Sequence, residues 1–315
     1  MSIYIAGSMA FDRIMTFGDR FADHILPDKL DILNVSFMIT SMVEKRGGCA
    51  GNIAYTLSLM GEKALVLAAV GKNFGEYASF LTGLGLSLEG IRVLPDEFTA
   101  GCTVITDRTN NQITGFCPAA MLQPCQYTFP HADPATDWGI VSPGNVEDMC
   151  VLPRTFREKG IRYIYDPGQQ IPALSGDDIL EAVTGSALLV TNDYELEMVC
   201  RKTGRTEAEL LTLTGGIITT LGEKGSRVTC GGKTEHIGIA MPLVVADPTG
   251  AGDSFRSGLL KGLVHGVDVF DASRLGAVCS SYCIEKKGTQ EHSFTYADFA
   301  ARHRAAFGRE PAIGW

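Results

Sequence analysis

Short apolar runs alternate with helix-like segments along most of this 315-residue chain, and that alternation restricts the folds open to it. Residues 2–7, 65–70, 140–142, 162–165, 187–190 and 216–220 read as short buried strands, rich in Ile, Val and Leu and closed by Gly, Ser or Asp. Helical patterns are expected between them, after Asn52 up to Gly61, and over 76–82, 151–159 and 177–184. Alternation of this kind implies parallel strands joined by helical crossovers, so the expected class is α/β. Ligands of such sheets bind beyond the carboxyl ends of the strands, which makes the residues just after each strand the functional candidates. With 45% hydrophobic residues the chain can bury one large core, and residues 1–315 are expected to form a single domain with insertions.

Charge and cysteine usage narrow the function. A net charge of −9 argues against a nucleic-acid partner, because phosphate-backbone affinity needs a basic surface. Any phosphate ligand must then be held by local N–H groups and a few cations. The nine cysteines never fall in a C-x-x-C spacing, and Cys279 and Cys283 lack a nearby Cys or His pair to complete a zinc site. Buried free thiols in a reducing compartment are expected. No basic segment leads a long apolar core at the N-terminus, and no apolar run approaches ~18 residues, so the expectation is a cytoplasmic protein without a membrane partner.

The stretch Asp-Pro-Thr-Gly-Ala-Gly-Asp-Ser-Phe-Arg-Ser-Gly, 247–258, is the richest in chemistry. The apolar run 241–246 before it reads as a buried strand, and a helix is expected to open at Asp253. Strand, glycine turn and helix make an anion site: the first N–H groups of a helix lack partners within it, and the helix dipole adds partial positive charge. Gly250, Ala251 and Gly252 leave the approach open. A carboxylate at Asp253 repels the anion that this turn attracts, so it is either an N-cap or a general base.

Other strand ends carry further candidates, each with a plainer reading. Gly7 is followed by Ser8 without completing G-x-G-x-x-G, which disfavours a dinucleotide site, and Asp12 is either a solvated loop residue or a ligand for hydroxyls. Gly47-Gly48 precedes Cys49-Ala50-Gly51-Asn52, as a hinge and substrate contact or as a helix start packed with small residues. Asp166-Pro167-Gly168-Gln169-Gln170 follows one strand and could be a turn alone. Asn192 with Glu195 forms a potential capping box, and Thr220-Leu221-Gly222-Glu223-Lys224-Gly225 closes another strand. The alternating stretch 33–39 reads as an edge strand, and 101–105 with 112–116 as a strand pair; together they suggest a small inserted sheet.

Taken in order, Asp12, Gly48 with Asn52, Asn192 with Glu195, Gly222 with Gly225, and Gly252 with Asp253 resemble the PfkB or ribokinase family of carbohydrate and nucleoside kinases over nearly the whole chain. The resemblance implies a ribokinase-like fold with a β-sheet lid formed by segments near 13–46 and 99–117. It implies Asp253 as base, the turn Gly250, Ala251 and Gly252 as oxyanion hole, and Ser8, Asp12, Gly48 and Asn52 at the substrate. ATP would meet Asn192, Thr220, Gly222, Gly225 and Gly252, with Mg²⁺ reached by Glu195 through water. A monovalent cation such as K⁺ is implied near Gly288-Thr289-Gln290, and a homodimer is compatible with the resemblance. Within the family, 47–55, 191–195, 247–250 and 288–290 are most similar to bacterial adenosine kinases, in which a Gln matching Gln169 or Gln170 helps to bind substrate. Where that subgroup covers adenine with a lid aromatic, this chain has Cys102, leaving Phe116 as the stacking residue. The implied activity is transfer from ATP to a nucleoside 5′-hydroxyl, with adenosine first. A sugar kinase of the same fold and a non-catalytic nucleoside sensor are the alternatives.

Overall fold

The computed structural model describes residues 1–315. In chain order the strands are β1 (Ile3–Ala6), β2 (Ala10–Phe17), β3 (Ile39–Gly47), β4 (Leu65–Gly71), β5 (Ile91–Leu94), β6 (Ala100–Thr106) and β7 (Gln112–Cys117). They continue with β8 (Trp138–Val141), β9 (Arg162–Tyr165), β10 (Leu188–Asn192), β11 (Gly216–Thr220), β12 (Ser226–Cys230) and β13 (Lys233–Ile237). The helices are α1 (Cys49–Leu59), α2 (Gly75–Gly83), α3 (Val146–Lys159), α4 (Gly176–Val183) and α5 (Asp193–Thr203). Short α6 (Glu207–Leu211) is followed by α7 (Ala251–Val264), α8 (Val269–Cys283) and α9 (Tyr296–Phe307).

Nine strands form the central sheet in the order β13-β12-β11-β10-β9-β8-β1-β4-β5, parallel from β11 to β5 and antiparallel at β12 and β13. Period-two alternation sends neighbouring side chains to opposite faces. Ile3 and Ile5 join the core beneath α1, α2, α7, α8 and α9, whereas Tyr4 and Ala6 join the core beneath α3, α4, α5 and α6. Helices thus cover both faces, as a parallel sheet requires. A separate four-stranded sheet, β3-β2-β6-β7, stands beyond the ends of β1 and β4.

Several sequence expectations fail. Residues 241–246 are not a buried strand: Met241, Leu243 and Val245 are exposed, and the segment crosses the end of α8 through the Ala246 and Asp247 N–H groups, which donate to the Ile284 carbonyl. The hairpin β12–β13 already occupies the sheet edge there. In the inserted sheet, strand pairing starts at Ile39 rather than at 33, because Phe37 turns inward onto Phe17 and Phe21 instead of joining a ladder. All nine cysteines are free thiols, but only Cys49, Cys125, Cys279 and Cys283 are buried, and Cys117 is exposed.

Helices α7 and α8 cross at close range because glycines line the contact. A Cβ on Gly258 would stand 2.6 Å from the backbone of Gly276 and Leu275, and one on Gly262 would stand 2.6 Å from Ala272 Cβ. Overpacking of this kind costs roughly 1–3 kcal/mol. Gly258→Ala is therefore expected to lower the unfolding free energy by that order, read as a lower urea midpoint with the m-value unchanged, and an unaltered midpoint would contradict the close crossing.

Candidate active site

The parallel strands end at a common cavity of about 700 Å³. Five of the seven parallel strands contribute a residue at or shortly past the carboxyl end: Ser8 after β1, Pro143 after β8, Asp166 after β9, Asn192 at the end of β10 and Thr220 at the end of β11. The small sheet supplies the opposite wall, with Asp12 on β2, Cys102 on β6 and Phe116 on β7. Cys102 and Phe116 are paired across the ladder, so a smaller side chain at one leaves the other as the aromatic surface of that wall.

Ser8, Asp12, Gly48, Asn52, Phe116, Gln169, Gln170, Asn192, Glu195, Thr220, Gly222, Gly250, Gly252 and Asp253 all line this space. Two expected residues do not. Ala251 is the first residue of α7 and offers only backbone, while Gly225 lies behind the wall, where its φ of 86° and a Cβ position 2.1 Å from the Ile237 carbonyl oxygen demand glycine for the hairpin. The cavity also takes in Cys49, Met121, Asp166, Thr249 and Arg256, none of which was given a role in the sequence, and Thr289, which was placed only near a monovalent cation. Arg256 had a visible signal: it follows Asp253 by three residues, which places both on one face of a helix.

Asp253 is not an N-cap. Gly250 holds that position with φ 81°, and Asp253 sits in the first turn of α7, where its Oδ2 accepts a 2.8 Å hydrogen bond from Asn52 Nδ2. Burial raises the Asp253 carboxyl above its ordinary range, while Asn52 and Arg256 oppose the shift. Asn52 is itself oriented from behind. Its Oδ1 accepts from Thr289 Oγ1 at 2.7 Å and from Gln290 Nε2 at 3.0 Å, so much of its polar capacity supports Asp253. Asp12, also raised by burial and by the Asp247 charge, hydrogen-bonds to nothing in the protein and lies against Gly47, where any Cβ would meet its carboxylate at 2.4 Å.

On the strand-end wall, Asn192 and Glu195 form the expected capping box: Asn192 Oδ1 accepts from the Glu195 N–H at 2.7 Å, and Glu195 Oε2 accepts from the Asn192 N–H at 2.8 Å. Glu195 Oε1 makes no such bond. Gln170 Nε2 donates to the Gly144 carbonyl at 2.6 Å, and Gln169 Nε2 reaches Cys49 Sγ at 3.5 Å. No three His, Cys, Asp or Glu side chains converge anywhere as a metal cage. That donor set fits a Mg²⁺ carried by phosphates and water with Glu195 at its edge, since Mg²⁺ near nucleotides needs only one or two carboxylates.

Several known proteins are similar to this chain in sequence and fold. The nucleoside kinase of Burkholderia thailandensis, solved in complex with inosine, is 38% identical and superposes with a TM-score of 0.86 over 98% of this chain and 99% of that one. The same enzyme has been solved in complex with ADP-inosine, with a TM-score of 0.85. The nucleoside kinase of Methanothermobacter thermautotrophicus is 29% identical over 312 residues, covering 97% of this chain and 100% of its own length. The nucleoside kinase of Methanocaldococcus jannaschii is 27% identical, with a TM-score of 0.85 over 97% of this chain and 99% of its own. Ribokinases, such as that of Arabidopsis thaliana at 19% identity and a TM-score of 0.79 over 96% of this chain and 98% of its own, share the fold. Residues 12–295 match the family described as pfkB family carbohydrate kinase, and the chain belongs to that family.

Proposed function

We propose that this protein is a nucleoside kinase that transfers the γ-phosphoryl group of ATP to the 5′-hydroxyl of a purine nucleoside, with adenosine as the best substrate. The observation that carries the reading is the pairing of Asp253, a half-buried carboxylate in the first turn of a helix, with Asp12 on the facing wall of one cavity. Asp12 has two oxygens free to accept from neighbouring ribose hydroxyls. Asp253 takes the proton of the 5′-hydroxyl as its oxygen attacks, and the N–H groups of the Gly250–Asp253 turn receive charge on the phosphoryl oxygens. Mg²⁺, held by the ATP phosphates and waters near Glu195, would neutralise phosphate charge. The small sheet acts as the lid, excluding water that could otherwise accept the phosphoryl group. The names of the relatives and the inosine in one of them support a nucleoside rather than a free sugar. A sensor would have no use for a base, which speaks for transfer.

Asp253→Asn keeps the size and the Asn52 contact but removes basicity, so kcat is expected to fall roughly 10²–10⁴-fold with ATP affinity retained. In wild type, kcat/KM should decline at the acid side above the ordinary aspartate range, because burial raises the Asp253 pKa. The linkage has the matching sign: a carboxyl raised by folding favours the folded state below its unfolded pKa, and that contribution is lost as pH rises through the folded one. Asp253→Asn should therefore melt higher than wild type at pH 7.5, on the order of 2 °C, with the gap closing in acid. Full activity of this variant in a pure preparation would remove Asp253 from the mechanism.

Substrate choice is measured as kcat/KM for adenosine, inosine, guanosine, ribose and fructose. A ring stacked on one aromatic gains on the order of 1 kcal/mol, so Phe116→Ala should weaken adenosine about 5-fold and leave ribose almost unchanged. With Cys102 in place of a second aromatic, other purine nucleosides should also turn over. Preference for ribose or fructose over every nucleoside would replace this reading with a sugar kinase, and nucleoside binding without any phosphorylation would favour a sensor.

A further inference from the structure

Arg256 is the one cationic side chain among the residues lining the cavity, which also holds Asp12, Asp166, Glu195 and Asp253. It is 6% exposed. Its Nη2 donates to Asp166 Oδ1 at 2.7 Å, and its Nε faces Asp166 Oδ2. Asp166 thus grips one edge of the guanidinium. The remaining nitrogen, Nη1, has no hydrogen-bond partner within the protein and lies against the anion turn, 2.6 Å from where a Cβ on Gly252 would stand. A buried ion pair of this kind seldom contributes more stability than apolar residues of equal volume, so its retention calls for another use. Charge supplies one. A triphosphate entering a space with this many carboxylates is opposed by more negative charge than the roughly half positive charge of a helix N-terminus can offset.

Resting on the kinase reading above, we propose that Arg256 is a catalytic residue whose Nη1 edge donates to an oxygen of the transferred γ-phosphoryl group, and that Asp166 is the positioning residue that aims it. As transfer proceeds, the acceptor oxygen bonds to the γ-phosphorus and the bond from that phosphorus to the β–γ bridging oxygen breaks. The electron pair leaves with ADP, and the hydroxyl proton goes to Asp253. Arg256 remains protonated throughout, the neighbouring carboxylates of Asp166, Asp253 and Glu195 holding its pKa high. The arrangement also gives glycine at 252 a second reason: a side chain there would push the guanidinium off its line.

The test separates the γ-phosphoryl group from the rest of the nucleotide. Calorimetry would compare β,γ-methylene ATP, ADP and adenosine on wild type, on Arg256→Lys, and on the double variant Asp166→Asn with Arg256→Gln, which removes both charges together and leaves no lone buried ion. For the double variant, affinity for the methylene analogue should fall roughly 10- to 100-fold, the range of a charge-assisted hydrogen bond, with ADP and adenosine changed by no more than about 2-fold. Arg256→Lys, which keeps charge without the fork, should fall in between, and carries the test if the double variant fails to fold. Equal weakening of all three ligands, or an unchanged ratio of analogue to ADP affinity, would overturn the proposal and leave Arg256 a packing residue. Wild type that binds analogue and adenosine but phosphorylates no nucleoside would overturn the kinase reading instead, while the affinity ratio still decides Arg256.

Discussion

The parallel contact between α1 and α7 is the constraint on which the site depends. Asn52 meets Asp253 near the first turns, Ser257 Oγ donates to the Ile53 carbonyl at 3.2 Å farther along, and Lys261 Nζ donates to the Met60 carbonyl at 2.9 Å at the far end. Contacts that advance together along both helices require that both N-termini point the same way, into the cavity. Two positive helix ends therefore converge where phosphate charge is expected. Glu62, buried beside Lys261 and hydrogen-bonded to the exposed His265, closes the far end of the contact and pairs the Lys261 charge.

That convergence explains how an acidic protein can present an anion site. The favourable field is local, built from backbone N–H groups at Gly250–Asp253 and from Arg256, while the net charge of −9 is spread over the whole chain. Burial raises the pKa of Asp12, Asp166 and Asp253 alike. Asp166 answers to Arg256 and Asp253 to Asn52. Asp12 alone has no partner in the protein, as suits a group that waits for hydroxyl donors.

Much of the site was legible because its chemistry lies at strand ends, and strand ends are marked by changes in sequence pattern. Arg162–Tyr165 and Gly216–Thr220 match their expected spans because short apolar runs closed by Asp or Gly leave little freedom. The run at 241–246 misled for the same reason. It has the composition of a buried strand, but whether such a run is covered depends on what already fills the sheet edge, and β13 filled it. Gly225 misled in the opposite direction, since a glycine forced by a backbone clash looks in sequence like one kept open for a ligand. Arg256 was passed over, and Thr289 and Gln290 were read only as neighbours of a cation, because their contacts span more than 80 residues of chain: Arg256 with Asp166, and Thr289 and Gln290 with Asn52.

In the proposed reaction the two sheets each hold one carboxylate. Asp12 belongs to the small sheet and Asp253 to a helix packed on the large one, so an acceptor held by both is held across the boundary. The chain crosses that boundary four times, and the crossings at 7–10 and Gly47-Gly48 touch: with φ at 89°, a Cβ on Gly48 would stand 2.5 Å from the Ser8 carbonyl oxygen. Glycine is needed there by contact as well as by conformation. In the lid reading, a swing of the small sheet would change the distance from Asp12 to Asp253. Closure would then bring the acceptor hydroxyl to the base in the same movement that expels water, which is how a kinase avoids hydrolysing ATP before its acceptor has bound.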